Sequence, residues 1–341
     1  MKTSAFVLGF IFAFLLKRGR FCFAGTIEDV VLEKHPYNLV LLLALVSTEA
    51  TLYHLMVMLN VIPHPAFKYF SLLATSIGGL LFGVGAVLSS GCITNALIKV
   101  GDGRITGIIT SVFFMLGARM ARDGAWKKVG LLLFSQTLII DDWHKRFASF
   151  VLLIFVLLAL ASYIVMFYHV KREKPFSLPR RYSSPIRHLF CEKLWRREIV
   201  VILLASLLAM GFYFSNLTGR NDSFAITAPL TSVFSLLLDG KGQVDWAVIF
   251  LCGLLAGSAL TAWSSGEFAL VSSSATSLLK HMLGGLLMGV GAVWAGGCIV
   301  SNGLVGTAQF SLRAWVALIF MTCGIWLATL VLSTILYRRN N

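Results

Sequence analysis

Charge is what this 341-residue sequence lacks most. Asp, Glu, Lys and Arg make up only 13% of it, about half the share in a soluble domain. With 57% hydrophobic residues, the chain cannot clothe a soluble surface, and a disordered or collagen-like chain is excluded too. Acidic residues are scarcest: 15 Asp plus Glu stand against 29 Lys plus Arg, a net charge of +14. None of the six cysteines falls in a CxxC pair, which argues against zinc ribbons, thioredoxin-like sites and c-type haem. No GxxxxGK[ST] loop is present, so this chain does not use ATP directly. A basic balance can signal nucleic acid. Joined to a mean hydropathy of +0.83, it signals a bilayer with basic loops instead. No nucleic-acid partner, metal or cofactor is expected.

What is present is apolar length. Runs fall near 4–16, 38–59, 70–90, 105–121, 147–169, 198–217, 245–263, 279–297 and 312–336. At about 20 residues per span, they predict an all-α polytopic membrane protein of about nine transmembrane helices, one domain over 1–341. The first run is followed by Lys17-Arg18-Gly19-Arg20 with no A-x-A site, so it is expected as a retained helix rather than a signal peptide. The stretch 126–140 is short, apolar and flanked by charge, as a half-helix or interfacial segment is. Segment 171–197 holds nine basic residues against two acidic ones, with Pro175, Pro179 and Pro185. It reads as a cytoplasmic linker between halves 1–170 and 198–341. Arg338-Arg339 places the C-terminus on the same side, and counting back over nine spans puts the N-terminus outside. One region resists this topology: 122–146 falls outside yet carries Arg122, Lys127, Lys128, Lys145 and Arg146, offset in part by Asp123, Asp141 and Asp142.

The strongest signal is internal. Residues 78–93 read GGLLFGVGAVLSSGCI and residues 284–299 read GGLLMGVGAVWAGGCI, with 12 of 16 positions identical. The chain holds a duplicated unit, and the topology makes the copies an inverted repeat, an architecture of transporters with the site near the midplane. Gly19-Arg20-Phe21 and Gly266-Glu267-Phe268 are read as a weaker echo of the same duplication. The glycines suit close helix packing. The polar ends, Ser89 to Asn95 and Gly296 to Gly303, do not follow from packing. Polar backbone at membrane depth survives only under protein or beside a cavity. Each copy is therefore expected to break at Gly91-Cys92 or Gly297-Cys298. A short re-entrant helix then starts near Thr94-Asn95 or Ser301-Asn302, its N–H groups offered to a small anion. Cys92, Cys298 and Cys22 are the candidate thiols: soft, cheaply desolvated partners that bind without holding too tightly. Arg20, beside Cys22, either steers an anion or marks the inner face. Cys252 and Cys323 read as small hydrophobes. Glu49, inside the span 38–59 with His54 near it, is either a proton-coupling group or a helix–helix hydrogen-bonding one. Arg104, Arg119 and Lys280 read as snorkelling residues.

Arg18-Gly19-Arg20-Phe21-Cys22, Ser90-Gly91-Cys92-Ile93-Thr94-Asn95, Ser265-Gly266-Glu267-Phe268 and Gly296-Gly297-Cys298 together resemble the YeeE/YedE sulfur-transport family of bacterial inner-membrane proteins. The resemblance implies an hourglass-shaped, inverted-repeat importer of thiosulfate, with pathway cysteines mapping onto Cys22, Cys92 and Cys298. It also implies a cytoplasmic sulfur carrier of the TusA type, expected here as a separate chain. Glu28-Asp29 and Ile299-Val300 depart from the family pattern, which bears on the substrate more than on the fold. Two alternatives stay open with the same cysteines: transport of a selenium compound, and a membrane thiol sulfurtransferase or oxidoreductase. The expectation is a transporter, not an enzyme.

Overall fold

A helix that must cross lipid keeps every backbone bond internal, so the apolar runs become helices and their ends fall where the sequence supplies a cap or a left-handed turn. The computed structural model of the chain describes all residues except 1, 34–36, 64–68, 136, 140–142, 173–194, 220–222, 241–243, 272 and 341. The first half runs α1 (Lys2–Gly19), α2 (Phe23–Glu33), α3 (Tyr37–Met58), α4 (Leu72–Leu88), α5 (Ile93–Gly101) and α6 (Ile105–Arg122). It continues through α7 (Lys127–Phe134) into α8 (Trp143–Arg172). Then follow α9 (Arg197–Asn216), α10 (Thr227–Asp239), α11 (Trp246–Ser265), α12 (Ala275–Trp294), a π-helical turn (Ser301–Gly306) and α13 (Leu312–Asn340). Most of the linker 171–197, including Cys191, lies outside the described residues.

Among the described residues, eight helices are long and apolar enough to cross a membrane, with α4 and α5 counted as one. The chain is a multi-pass, all-α membrane protein. The remaining apolar run is α1, which carries Lys2, Lys17 and Arg18. Segment 126–140 forms the short α7 and a two-residue strand, Leu138–Ile139, paired antiparallel with Tyr69–Phe70. Leu131 and Leu132 on α7 are exposed, as an interfacial segment requires.

The duplicated helices cross antiparallel on their glycines. A Cβ at Gly78 would lie 2.8 Å from the Gly291 carbonyl oxygen, and one at Gly291 would lie 2.5 Å from that of Gly78. Gly85 and Gly284 repeat the relation at 2.6 and 2.7 Å. The register rises along α4 as it falls along α12, so the crossing maps onto itself by a local two-fold axis and the repeat is inverted. Each of these helices then runs parallel to the last helix of the other copy. Gly79 and Gly83 seat α4 on Ala317, Met321 and Ile325 of α13. Gly285 and Gly289 seat α12 on Thr110, Phe114 and Ala118 of α6.

Among the described residues, the order of long helix, break, short helix and long helix occurs four times, not twice: α1–α3, α4–α6, α9–α11 and α12–α13 with the π turn between them. The units that open the two halves cross in the same manner. Gly253 and Gly257 of α11 lie against Phe6 and Phe10 of α1, so those helices are parallel, and α9 begins where α1 ends, with Gly19 against Val200. The Gly266-Glu267-Phe268 segment is thus no counterpart of Gly19-Arg20-Phe21. It follows the last helix of its unit, whereas Gly19 ends the first helix of another. The two lie side by side because α1 and α11 run together. There Lys17 Nζ bridges Asp102 Oδ1 at 2.6 Å and Glu267 Oε2 at 3.3 Å, tying the ends of α1, α5 and α11 into one face. Trp195 N–H donates to the Arg18 carbonyl, so the end of the linker meets that face as well. Phe12, Phe224, Trp246 and Phe250 fill the space between α1, α11 and the break before α10, with Phe224 and Phe250 stacked at 4.3 Å.

Candidate functional site

Both copies of the glycine helix end by the same backbone device. Ser90 and Gly296 hold φ of 52° and 73°, and Gly91 and Gly297 hold 134° and 159°. Left-handed residues stop a helix because the next N–H can no longer point down its axis. After each break the chain restarts as a short helix, and the cysteine stands at its start. Cys92 is the residue before α5. Cys298 precedes the helical stretch from 299 that contains the π turn. Cys22 stands before α2, where its sulfur accepts the Gly25 N–H at 3.5 Å and its carbonyl accepts the Thr26 hydroxyl at 2.8 Å. The break before α10 carries Ile226 in that place, so three of the four short helices begin at a thiol.

The fold brings these thiols together. Cys22 and Cys92 lie within electrostatic reach of one another, and Cys92 within that of Cys298. All three are free thiols; Cys92 and Cys298 are buried and Cys22 is half-buried. Around them, Cys298 Sγ and Ser301 Oγ are 3.8 Å apart. Asn302 donates to the carbonyls of Gly297 at 2.9 Å and Ala295 at 3.3 Å, which locks the second break. Asn95 donates to the Ser90 carbonyl at 3.3 Å and does the same for the first. Thr94 Oγ1 and Asn302 Oδ1 are fully buried beside the cysteines with no hydrogen-bond partner among the described residues. Orphaned polar atoms are rare in native interiors and call for a ligand or water. The π turn between Cys298 and α13 is itself a geometry that gathers at functional sites.

Arg20 is not part of this cluster. It is exposed, with φ of 46°, and no hydrogen bond or ion pair joins it to the thiols among the described residues. Cys252 is exposed and Cys323 half-buried, both on long helices. Glu49 is fully buried, and neither of its oxygens has a partner among the described residues. Two basic residues that the sequence did not single out do reach the breaks. Lys99 Nζ donates to the Ser90 carbonyl at 2.9 Å. The Arg313 guanidinium lies against Gly296, where a Cβ would come within 2.8 Å of Nη1. Each stands at the residue two before a site cysteine. The signal for Lys99 was a single cation inside a short, otherwise uncharged segment, Ile93–Gly101.

Three thiols on three inward helix starts suit a soft, small anion, and similarity to known proteins agrees. The profile of the family described as sulphur transport matches residues 18–327, a span that includes all three site cysteines. This chain belongs to the sulphur-transport family. Among its relatives in that family, the thiosulfate transporter TsuA of Escherichia coli (strain K12) is 30% identical over 340 residues, covering 96% of this chain and 94% of the relative. The thiosulfate transporter TsuA of Spirochaeta thermophila is 30% identical over 342 residues, covering 99% and 100%.

Proposed function

We propose that this sulphur-transport protein imports thiosulfate across the inner membrane. The observation that carries the reading is the position of Cys22, Cys92 and Cys298 at the starts of three short helices. Thiosulfate joins a soft terminal sulfur to hard oxygens. The thiols suit the first, and helix N–H groups with the Thr94 hydroxyl suit the second. Buried thiols bind weakly and in series, as conduction requires. The residues proposed to line the path are Cys22, Gly91, Cys92, Thr94, Asn95, Gly297, Cys298, Ser301 and Asn302. Halves 1–170 and 198–341 are proposed to form one transmembrane unit. The face tied by Lys17 is taken as cytoplasmic on the positive-inside rule, with the C-terminus and the linker on that side. A separate sulfur carrier of the TusA type is the proposed acceptor there.

The test is uptake of labelled thiosulfate into vesicles holding the purified protein, with sulfate and selenite as competitors. Thiosulfate uptake that neither competitor suppresses supports the reading; no thiosulfate uptake beside uptake of labelled selenite moves it to a selenium compound. The nearness of Cys22 to Cys92 favours one second reading, a thiol sulfurtransferase. Mass spectrometry during turnover separates the two, because a covalent sulfur adduct on either cysteine belongs only to the enzyme.

A further inference from the structure

Lys99 sits where the thiol cluster gives way to water. Its carrier helix α5 runs from Cys92 to the Lys17–Asp102 bridge, so Lys99 lies between the buried thiols and the basic face. Ser90, whose carbonyl it holds, is exposed, while Ser89 and Cys92 on either side are buried. Ser90 also lines a cavity of about 250 Å³ shared with Glu28, Lys280, Thr329 and Ser333. On its inner flank Lys99 acts electrostatically on both Cys22 and Cys92.

The pairing of Lys99 is unusual for a half-buried cation. Its hydrogen bond goes to a neutral carbonyl, and no carboxylate forms an ion pair with it among the described residues. The nearby Asp102 is engaged by Lys17 at 2.6 Å. A half-buried cation, partly stripped of water, gains from a countercharge. An ammonium resting on a carbonyl keeps that demand unmet and can turn on its flexible stem towards an arriving anion. The Ser90 turn that it holds is a non-glycine residue in the left-handed region, a conformation that persists only under such restraint.

We propose that Lys99 is a positioning residue for the transported anion, drawing it off the Cys22–Cys92 thiols and onto the Ser90 turn at the mouth of that cavity. The inference rests on the transport reading and adds to it the step by which the anion leaves the thiols. The thiols recognise the sulfur; Lys99 supplies the charge that moves a dianion on.

The test reads charge preference at Cys22 directly. Purified full-length protein is treated with two methanethiosulfonates, one carrying an anionic sulfonatoethyl group and one a cationic trimethylammonioethyl group. Rates at Cys22 are followed by peptide mass spectrometry and divided by the rates with free 2-mercaptoethanol. In the wild type the normalised rate is expected to favour the anionic reagent about tenfold, as a unit charge within a few ångströms would cause. Lys99→Gln is expected to remove the preference and Lys99→Arg to keep it. In vesicles Lys99→Gln should lower the maximal uptake rate while KM changes little, because the step follows binding. No anionic preference in the wild type overturns the proposal without any variant. An unchanged preference in Lys99→Gln overturns it as well. A wild type that takes up no thiosulfate while Cys22 keeps its preference overturns the transport reading and leaves the charge effect of Lys99 standing.

Discussion

Ser90 and Gly296 meet one backbone demand with two different residues. Both hold a positive φ, and only glycine does so without Cβ strain. Ser90→Gly is therefore expected to stabilise the protein by about 1 kcal/mol, read as a rise in Tm in detergent. Gly296→Ser should do the reverse by more, because the new side chain also meets Arg313. Gly91→Ala is expected to abolish uptake, since its Cβ would collide with the Asn95 side chain that holds the Ser90 carbonyl. For the thiols, Cys92→Ala and Cys298→Ala are expected to abolish growth on thiosulfate as sole sulfur source at native expression. Normal growth of both variants would sink the role assigned to them. Cys92, Cys298 and their flanking glycines were legible in the sequence because the repeat displays them in two copies, whereas Cys22 stands outside it. Lys99 and Arg313 were not, because each acts on a carbonyl or glycine that only a turn or a neighbouring helix brings near.

Among the elements, glycine decides how close the long helices come. The α4–α12 crossing leaves no room for a Cβ at Gly78, Gly85, Gly284 or Gly291. Gly85→Leu must push apart two backbones rather than a flexible side chain, and overpacking of this kind costs about 1–3 kcal/mol or more. The expected result is a lower Tm together with loss of uptake, since the breaks at Ser90 and Gly296 hang from these two helices. The Lys17 bridge joins the ends of α1, α5 and α11. Lys17→Met leaves Asp102 largely buried and unpaired, at a cost of roughly 2–4 kcal/mol. This is below the fully buried range because Glu267 is 45% exposed. Asp102→Asn should cost less, because Glu267 still pairs with Lys17. These helix pairs were half visible beforehand. Small residues every four positions announce a close-packed face, but they do not name the partner helix. The weak echo at Gly266 was a contact mistaken for a copy.

For the whole molecule, direction across the bilayer follows from which ends share a face. The ends of α1, α5 and α11 meet at Lys17, the start of α9 meets α1 at Gly19, and α13 runs parallel to α4. A cysteine introduced in the linker, Ser183→Cys, is expected to be labelled by an impermeant maleimide only from the cytoplasmic side. Ser135→Cys, at the end of α7, should be labelled only from the opposite side. Labelling of both from one side would overturn the topology. The outcome matters for energetics too. A dianion entering a negative interior works against roughly 2.3 kcal/mol per charge per 100 mV, so the path must offer graded, weak sites rather than one deep well.

By itself the sequence determined the solvent and the motif. Hydropathy and charge are properties of short windows, so the bilayer, the number of apolar runs and the basic linker could be read in order along the chain. A duplicated segment is likewise visible as a string, and with it the glycine breaks and two of the three thiols in matched settings. Only the tertiary structure decided that the helix–break–helix unit occurs four times among the described residues. It also decided that Arg20 is exposed, with no bond to the thiols among the described residues, and that Lys99 reaches the Ser90 carbonyl. The physical reason is that these facts depend on helices distant in sequence crossing on glycines. A contact between distant segments leaves no periodicity or composition for a linear reading to find.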